Sequence, residues 1–140
     1  LIDDAVENKA KMILEGKRKD NLIQPTILDH VNNKCRIYYE EQFGPVAAVI
    51  RVKNEKEAID VINDSNYGLG ASIFTNDINK AFNIASQLNV GTVQINGKPD
   101  RSPDKFPFPC IKDSGIGVQG IKYAIEAMTR IKPIILNLNK

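Results

Sequence analysis

Glu40-Glu41-Gln42-Phe43-Gly44-Pro45 runs straight into the apolar stretch Val46 to Val52. Two carboxylates, an aromatic ring and a Gly-Pro turn stand at the mouth of a strand that is too apolar to be exposed. A near-continuous apolar run is the pattern of a strand in a sheet covered on both faces. The stretch therefore predicts an α/β fold in which this loop holds something at the end of a sheet.

The rhythm downstream supports that class. Asn54 followed by Glu57 has the spacing of a capping pair, and Ala58, Ile59, Val61 and Ile62 give the helical face behind it. Gly70 to Phe74 reads as a second strand. Asn76 or Asp77 can cap a helix whose Ile78, Ala81, Phe82, Ala85 and Leu88 recur at helical spacing, and Val90 to Asn96 reads as a third strand. Two successive strand-helix-strand units imply right-handed crossovers and a parallel sheet. Gly97 to Gly117 is a long stretch without regular pattern, of the length that is usually functional or disordered, and Phe106-Pro107-Phe108 argues for packing. Val118 to Arg130 predicts a last helix, and Ile134 to Leu138, after Pro133, a terminal strand.

Upstream of the opening stretch, Ile2 to Leu14 predicts an amphipathic helix with Gly16 as its C-cap. Asn21 to Val31 reads as extended, with Pro25 at an edge or bulge because it lacks a ladder amide. His30 is read as structural or solvated.

The chain has 140 residues and a net charge of +2, enough for one domain and without the basic footprint of a nucleic-acid binder. It shows no apolar run of membrane-spanning length and no basic-then-apolar leader. Cys35 and Cys110 have neither metal-ligand nor CxxC spacing, so a reduced, cytoplasmic protein is expected, with both cysteines structural. The chain opens on Leu1 rather than Met, and is expected to be a piece of something longer. P-loop, GxSxG and HExxH patterns are absent.

The residues that can carry binding chemistry lie at strand ends, where open α/β sheets place ligands. Glu41 and Phe43 precede one strand, and Asn96 and Arg101 follow another. A carboxylate suits ribose hydroxyls, an aromatic ring packs on a heteroaromatic one, and a guanidinium clamps a phosphate. Each also has an ordinary reading: a solvated acidic pair at Glu40 and Glu41, a core ring at Phe43, a surface charge at Arg101.

Four ordered motifs carry a resemblance across essentially the whole chain. Glu41-Gln42-Phe43-Gly44-Pro45, Asn66-Tyr67-Gly68-Leu69 with Ala71 and Phe74-Thr75, Gly91-Thr92-Val93-Gln94-Ile95-Asn96, and Lys112-Asp113-Ser114-Gly115 with Gly117 resemble the successive motifs of aldehyde dehydrogenases. Asn96-Gly97-Lys98 running to Arg101, Phe106-Pro107-Phe108, and Gly120 to Thr129 are similar to the non-phosphorylating, NADP-dependent glyceraldehyde-3-phosphate dehydrogenases within that family. Pro109-Cys110 departs from it, standing before Lys112 where the family usually has glycine.

The resemblance implies the C-terminal part of a catalytic domain, residues 1–132, with 133–140 as a terminal oligomerisation strand in a dimer or homotetramer. It implies NADP as cofactor, with NAD possible. Glu41 would accept hydrogen bonds from the nicotinamide ribose, Phe43 would pack by the nicotinamide, and Leu69 would line the same pocket. Arg101 would anchor the phosphate of the aldehyde, and Asn96 would shape the substrate loop. In the family mechanism a cysteine thiolate attacks the aldehyde, the adduct passes hydride to the cofactor, and a glutamate activates water to hydrolyse the thioester. Both groups belong upstream of the matched stretch, so no catalytic residue is expected here and the upstream part of the enzyme is an implied partner. The competing readings are a non-catalytic assembly module or remnant, and an aldehyde dehydrogenase for another small aldehyde.

Overall fold

The computed structural model describes residues 1–100, 103 and 105–138. The chain divides into two compact units, Leu1–Asn66 and Tyr67–Lys140.

The first unit starts with α1 (Ile2–Glu7), which is shorter than its apolar periodicity suggests. Asn8 closes it by donating its side-chain amide to Asp4 O at 2.9 Å, and Lys9 takes a left-handed φ of 73°. The expected helix to Leu14 gives way to β1 (Lys11–Leu14). Tertiary pairing outweighs helix propensity here, as it often does. Two further short strands, β2 (Arg18–Lys19) and β3 (Leu22–Ile23), form an antiparallel hairpin.

Gly16 is not a helix cap. A Cβ there would stand 2.1 Å from Gln24 O and 2.5 Å from the Thr26 hydroxyl, so glycine permits a close backbone approach. The strand that follows, β4 (Thr26–Asp29), is the centre of a three-stranded sheet rather than an edge, with β1 antiparallel on one side. Pro25 is tolerated because it lies just before the strand, outside the ladder. On the other side β5 (Val46–Ala48) runs parallel, with Thr26 opposite Val46 and Leu28 opposite Ala48. Thr26 N donates to Pro45 O at 2.9 Å, which fixes where β5 begins.

The apolar stretch ends as a strand at Ala48, short of Val52. Arg51 interrupts it, and its guanidinium turns to Asp29. Val49 and Val52 are exposed, so the expected cover on both faces is missing in this chain. Ala5, Ala10, Leu28, Val31, Cys35 and Ile37 form the core of this unit, with Cys35 wholly buried. Helix α2 (Glu55–Asp64) is capped as the Asn54–Glu57 spacing predicts: the Asn54 side chain accepts from Glu57 N at 2.9 Å. The Glu57 carboxylate accepts in turn from Lys53 N.

In the second unit β6 (Gly70–Ile73), α3 (Ile78–Ala85) and β7 (Thr92–Ile95) make one strand-helix-strand unit. The strands pair in parallel, Gly70 opposite Thr92 and Ile73 opposite Ile95. Asp77 is the cap, accepting from Lys80 N. The fold is thus mixed α/β with two parallel pairings. The expected run of two βα units through one sheet is not formed among the described residues, since β5 pairs with β4 and β6 with β7.

The stretch expected to be irregular contains β8 (Phe108–Pro109), antiparallel to β9 (Val118–Gln119). The last helix therefore begins later than its periodicity suggests: α4 spans Ile121–Ala127, after Gly120 turns the chain with φ 128°. Ile134 to Leu138, expected as a strand, carries no ladder and exposes Ile134, Ile135, Leu136 and Leu138. A strand needs a partner edge, and among the described residues none pairs with this segment. Among the described residues no helix is long and apolar enough to cross a membrane.

Candidate functional site

The loop before β5 separates the acidic pair. Glu40 is held by Arg36 through two hydrogen bonds, of 2.7 and 2.8 Å. That guanidinium keeps the Glu40 carboxyl below its usual range. Glu41 is exposed, with no hydrogen-bond or ion-pair partner among the described residues. Phe43 is 93 % exposed, so the reading of a core ring does not hold in this chain. One bare carboxylate and one bare ring therefore stand two residues apart, next to the strand start fixed by Thr26.

At the other end of that parallel pair, Asp29 caps β4. Arg51 donates to its carboxylate at 2.9 and 2.7 Å, and His30 N donates at 2.8 Å. The Arg51 hydrogen bonds hold the Asp29 carboxyl down at about 2, against partial desolvation that pushes it up. His30 has a left-handed φ of 57° and a half-exposed ring, which makes it a solvated turn residue.

In the second unit Leu69 and Asn96 fall at opposite ends of the β6–β7 pair. Leu69 precedes β6 and is 42 % exposed. Asn96 follows β7 in the left-handed region, at φ 54°, where asparagine is the most tolerant residue after glycine. Its amide clamps Thr75 by both backbone atoms, accepting from Thr75 N and donating to Thr75 O, each at 2.9 Å. The structure thus gives Asn96 a positioning task at the strand ends, which leaves its side chain engaged with backbone.

Beside β7 a cleft of about 430 Å³ opens, lined by Thr92, Gln94, Asp100, Pro103, Phe106 and Phe108. The two phenylalanines of the Phe-Pro-Phe segment pack into its wall rather than into the core. Arg101 falls outside the described residues. Pro109-Cys110 is no open turn: Pro109 lies in β8, and Cys110 N donates to Gly117 O at 3.0 Å. Among the described residues no group of three His, Cys, Asp or Glu could hold a metal.

The model of the aldehyde dehydrogenase family matches residues 1–134. The chain belongs to the aldehyde dehydrogenase family. The NADP-dependent glyceraldehyde-3-phosphate dehydrogenase of Streptococcus equinus is 51 % identical over the whole chain, which covers 29 % of that protein. That of Pisum sativum is 51 % identical over 99 % of the chain and 28 % of its own length. The crystal structure of the Bacillus halodurans C-125 enzyme, complexed with NADP, superposes with a TM-score of 0.95 at 53 % identity, over 99 % of this chain and 29 % of that one. This aldehyde dehydrogenase chain therefore spans less than a third of the length of the relatives it matches.

Sequence reasoning missed two residues. Thr75 stands in the sequence only as part of the Phe74-Thr75 motif, yet its backbone is what Asn96 grips. Ser114 likewise stands in the Lys112-Asp113-Ser114-Gly115 motif with no local sign of a task, and its hydroxyl accepts from Gly68 N at 3.0 Å. A serine one residue before glycine in a turn is the type that bonds nearby backbone, but the partner lies 46 residues away and leaves no local signal.

Proposed function

We propose that the chain forms the C-terminal part of the catalytic domain of an enzyme that oxidises glyceraldehyde 3-phosphate to 3-phosphoglycerate with NADP and without phosphorylation. The observation that carries this reading is the 51 % identity, over the full chain, to a protein named for that cofactor and substrate. The bare Glu41 carboxylate and the bare Phe43 ring support it, because one offers acceptors and the other a flat apolar face.

Glu41 accepts hydrogen bonds from the ribose hydroxyls next to the nicotinamide, and Phe43 packs by the ring. Leu69 presents an apolar wall to the nicotinamide. Bound NADP supplies the hydride acceptor. Arg101 holds the substrate phosphate as a guanidinium fork, and Asn96 fixes the strand end from which that loop departs. The nucleophilic cysteine and the general-base glutamate come from the preceding part of the enzyme. Residues 133–140, apolar and exposed at Ile134, Ile135, Leu136 and Leu138, add a strand to a neighbouring subunit in a cytoplasmic oligomer.

The test is Arg101→Leu in the full-length enzyme. The apparent affinity for glyceraldehyde 3-phosphate falls by tenfold or more while that for NADP stays, as expected for loss of a charge-assisted phosphate contact. An unchanged substrate affinity would remove Arg101 from the site and favour a different small aldehyde.

A further inference from the structure

We infer that Ser114 is a positioning residue for Leu69, acting from a remote turn through the backbone of Gly68. The inference rests on the reading that Leu69 faces the nicotinamide. Gly68 is buried, and its N–H donates to the Ser114 hydroxyl at 3.0 Å. Its carbonyl accepts from Gly91 N at 2.8 Å, and the Leu69 carbonyl accepts from Thr92 N at 3.3 Å. A side chain cannot replace this arrangement from within, since a Cβ at Gly68 would stand 2.9 Å from Asn89 O. The two peptides that flank Gly68 are therefore held from different sides, the Gly68–Leu69 carbonyl by the lead-in to β7 and the Tyr67–Gly68 amide by the Ser114 hydroxyl.

That hydroxyl is itself fixed. Ser114 N donates to Ile111 O at 3.3 Å, Lys112 takes a left-handed φ of 55°, and Lys112 pairs with Tyr67 in an antiparallel bridge. The turn is thus anchored on the residue before Gly68 and reaches Gly68 with its serine. Without the hydroxyl, the buried Gly68 donor loses its acceptor, and the turn is tied to this segment through the Tyr67–Lys112 bridge one residue further from Leu69. A buried backbone N–H finds a substitute only by moving. The movement shifts the Leu69 side chain by a fraction of an ångström or more, enough to loosen an apolar contact with a planar ring.

The experiment compares Ser114→Ala, Ser114→Thr and wild type in the full-length enzyme, alone and in a Leu69→Ala background. Ser114→Ala raises the KM for NADP about three- to tenfold with a smaller change in kcat, and Ser114→Thr, which keeps a hydroxyl, restores it. In the Leu69→Ala background the effect of Ser114→Ala on that KM disappears. Hydrogen exchange at the Gly68 amide rises in Ser114→Ala and not in Ser114→Thr. If Ser114→Ala does not fold, Ser114→Cys, a weaker acceptor, takes its place with a smaller shift in the same direction. An active wild type whose cofactor KM is unmoved by Ser114→Ala, or moved equally with Leu69 present or absent, overturns the role of Ser114. A wild type that does not reduce NADP overturns the functional reading itself, and the inference with it.

Discussion

Asn96 grips Thr75 by both ends of its amide, each bond 2.9 Å long, and so ties the residue after β7 to the backbone two residues beyond β6. The clamp closes the C-terminal end of a parallel pair whose strands share only four residues of register. Two consequences follow for substitution at Asn96. Alanine loses both bonds and must also hold φ 54°, so Asn96→Ala costs about 2 kcal/mol of stability. Glycine loses the bonds but not the backbone freedom, so Asn96→Gly costs about 1 kcal/mol. Urea unfolding of both variants beside wild type checks the order; a glycine variant as stable as wild type would mean that the clamp does not hold the strand end.

The Asp29–Arg51 pair makes stability depend on acid pH. The folded carboxyl is held at about 2, below its ordinary 3.8. A depressed carboxyl binds its proton more readily when unfolded, so its stabilisation is full above about pH 4 and is lost as pH falls toward 2. Asp29→Asn flattens that part of the curve. Melting temperature followed from pH 5 down to pH 2 reads this directly, and parallel curves for variant and wild type would contradict it.

Glu40 and Glu41 differ in their tasks although they are neighbours. In the full-length enzyme Glu41→Gln lowers kcat/KM for NADP about ten- to hundredfold, the scale of hydrogen bonds to a charged group. Glu40→Gln leaves it near wild type, because Glu40 spends its charge on Arg36. Steady-state kinetics in NADP concentration separate the two, and the reverse pattern would move the ribose contact to Glu40.

Two glycines of similar motif standing differ in need. A Cβ at Gly91 would meet Pro109 O at 2.0 Å, whereas one at Gly44 meets nothing within 4 Å. Gly91→Ala therefore destabilises by about 3 kcal/mol or more, and Gly44→Ala by less than about 0.5 kcal/mol. Thermal melts of both variants test the contrast.

What was legible in the sequence follows from how local each signal is. The caps of α2 and α3 were readable because Asn54 reaches Glu57 N and Asp77 reaches Lys80 N within one turn. The strands β6 and β7 were readable because apolar runs bounded by Gly and Asn need no distant information. Where a partner far along the chain decides, the reading failed. Lys11–Leu14 has helical periodicity but pairs with β4, and Val46–Val52 looks like one strand until Arg51 turns to Asp29. Of the candidate site, Glu41, Phe43, Leu69 and Asn96 were legible as motif positions. The occupation of Asn96 by Thr75 and the support from Ser114 were not, since both are contacts between residues distant in sequence.

The most direct measurement compares the 140-residue chain with its full-length parent, using glyceraldehyde 3-phosphate and NADP without inorganic phosphate and following NADPH formation. Turnover is expected from the parent and none from the chain alone. A parent that is inactive, or that needs inorganic phosphate, would contradict the proposed reaction. Turnover by the chain itself would contradict the placing of the nucleophile in the preceding part of the enzyme, and would make Cys110 the residue to replace.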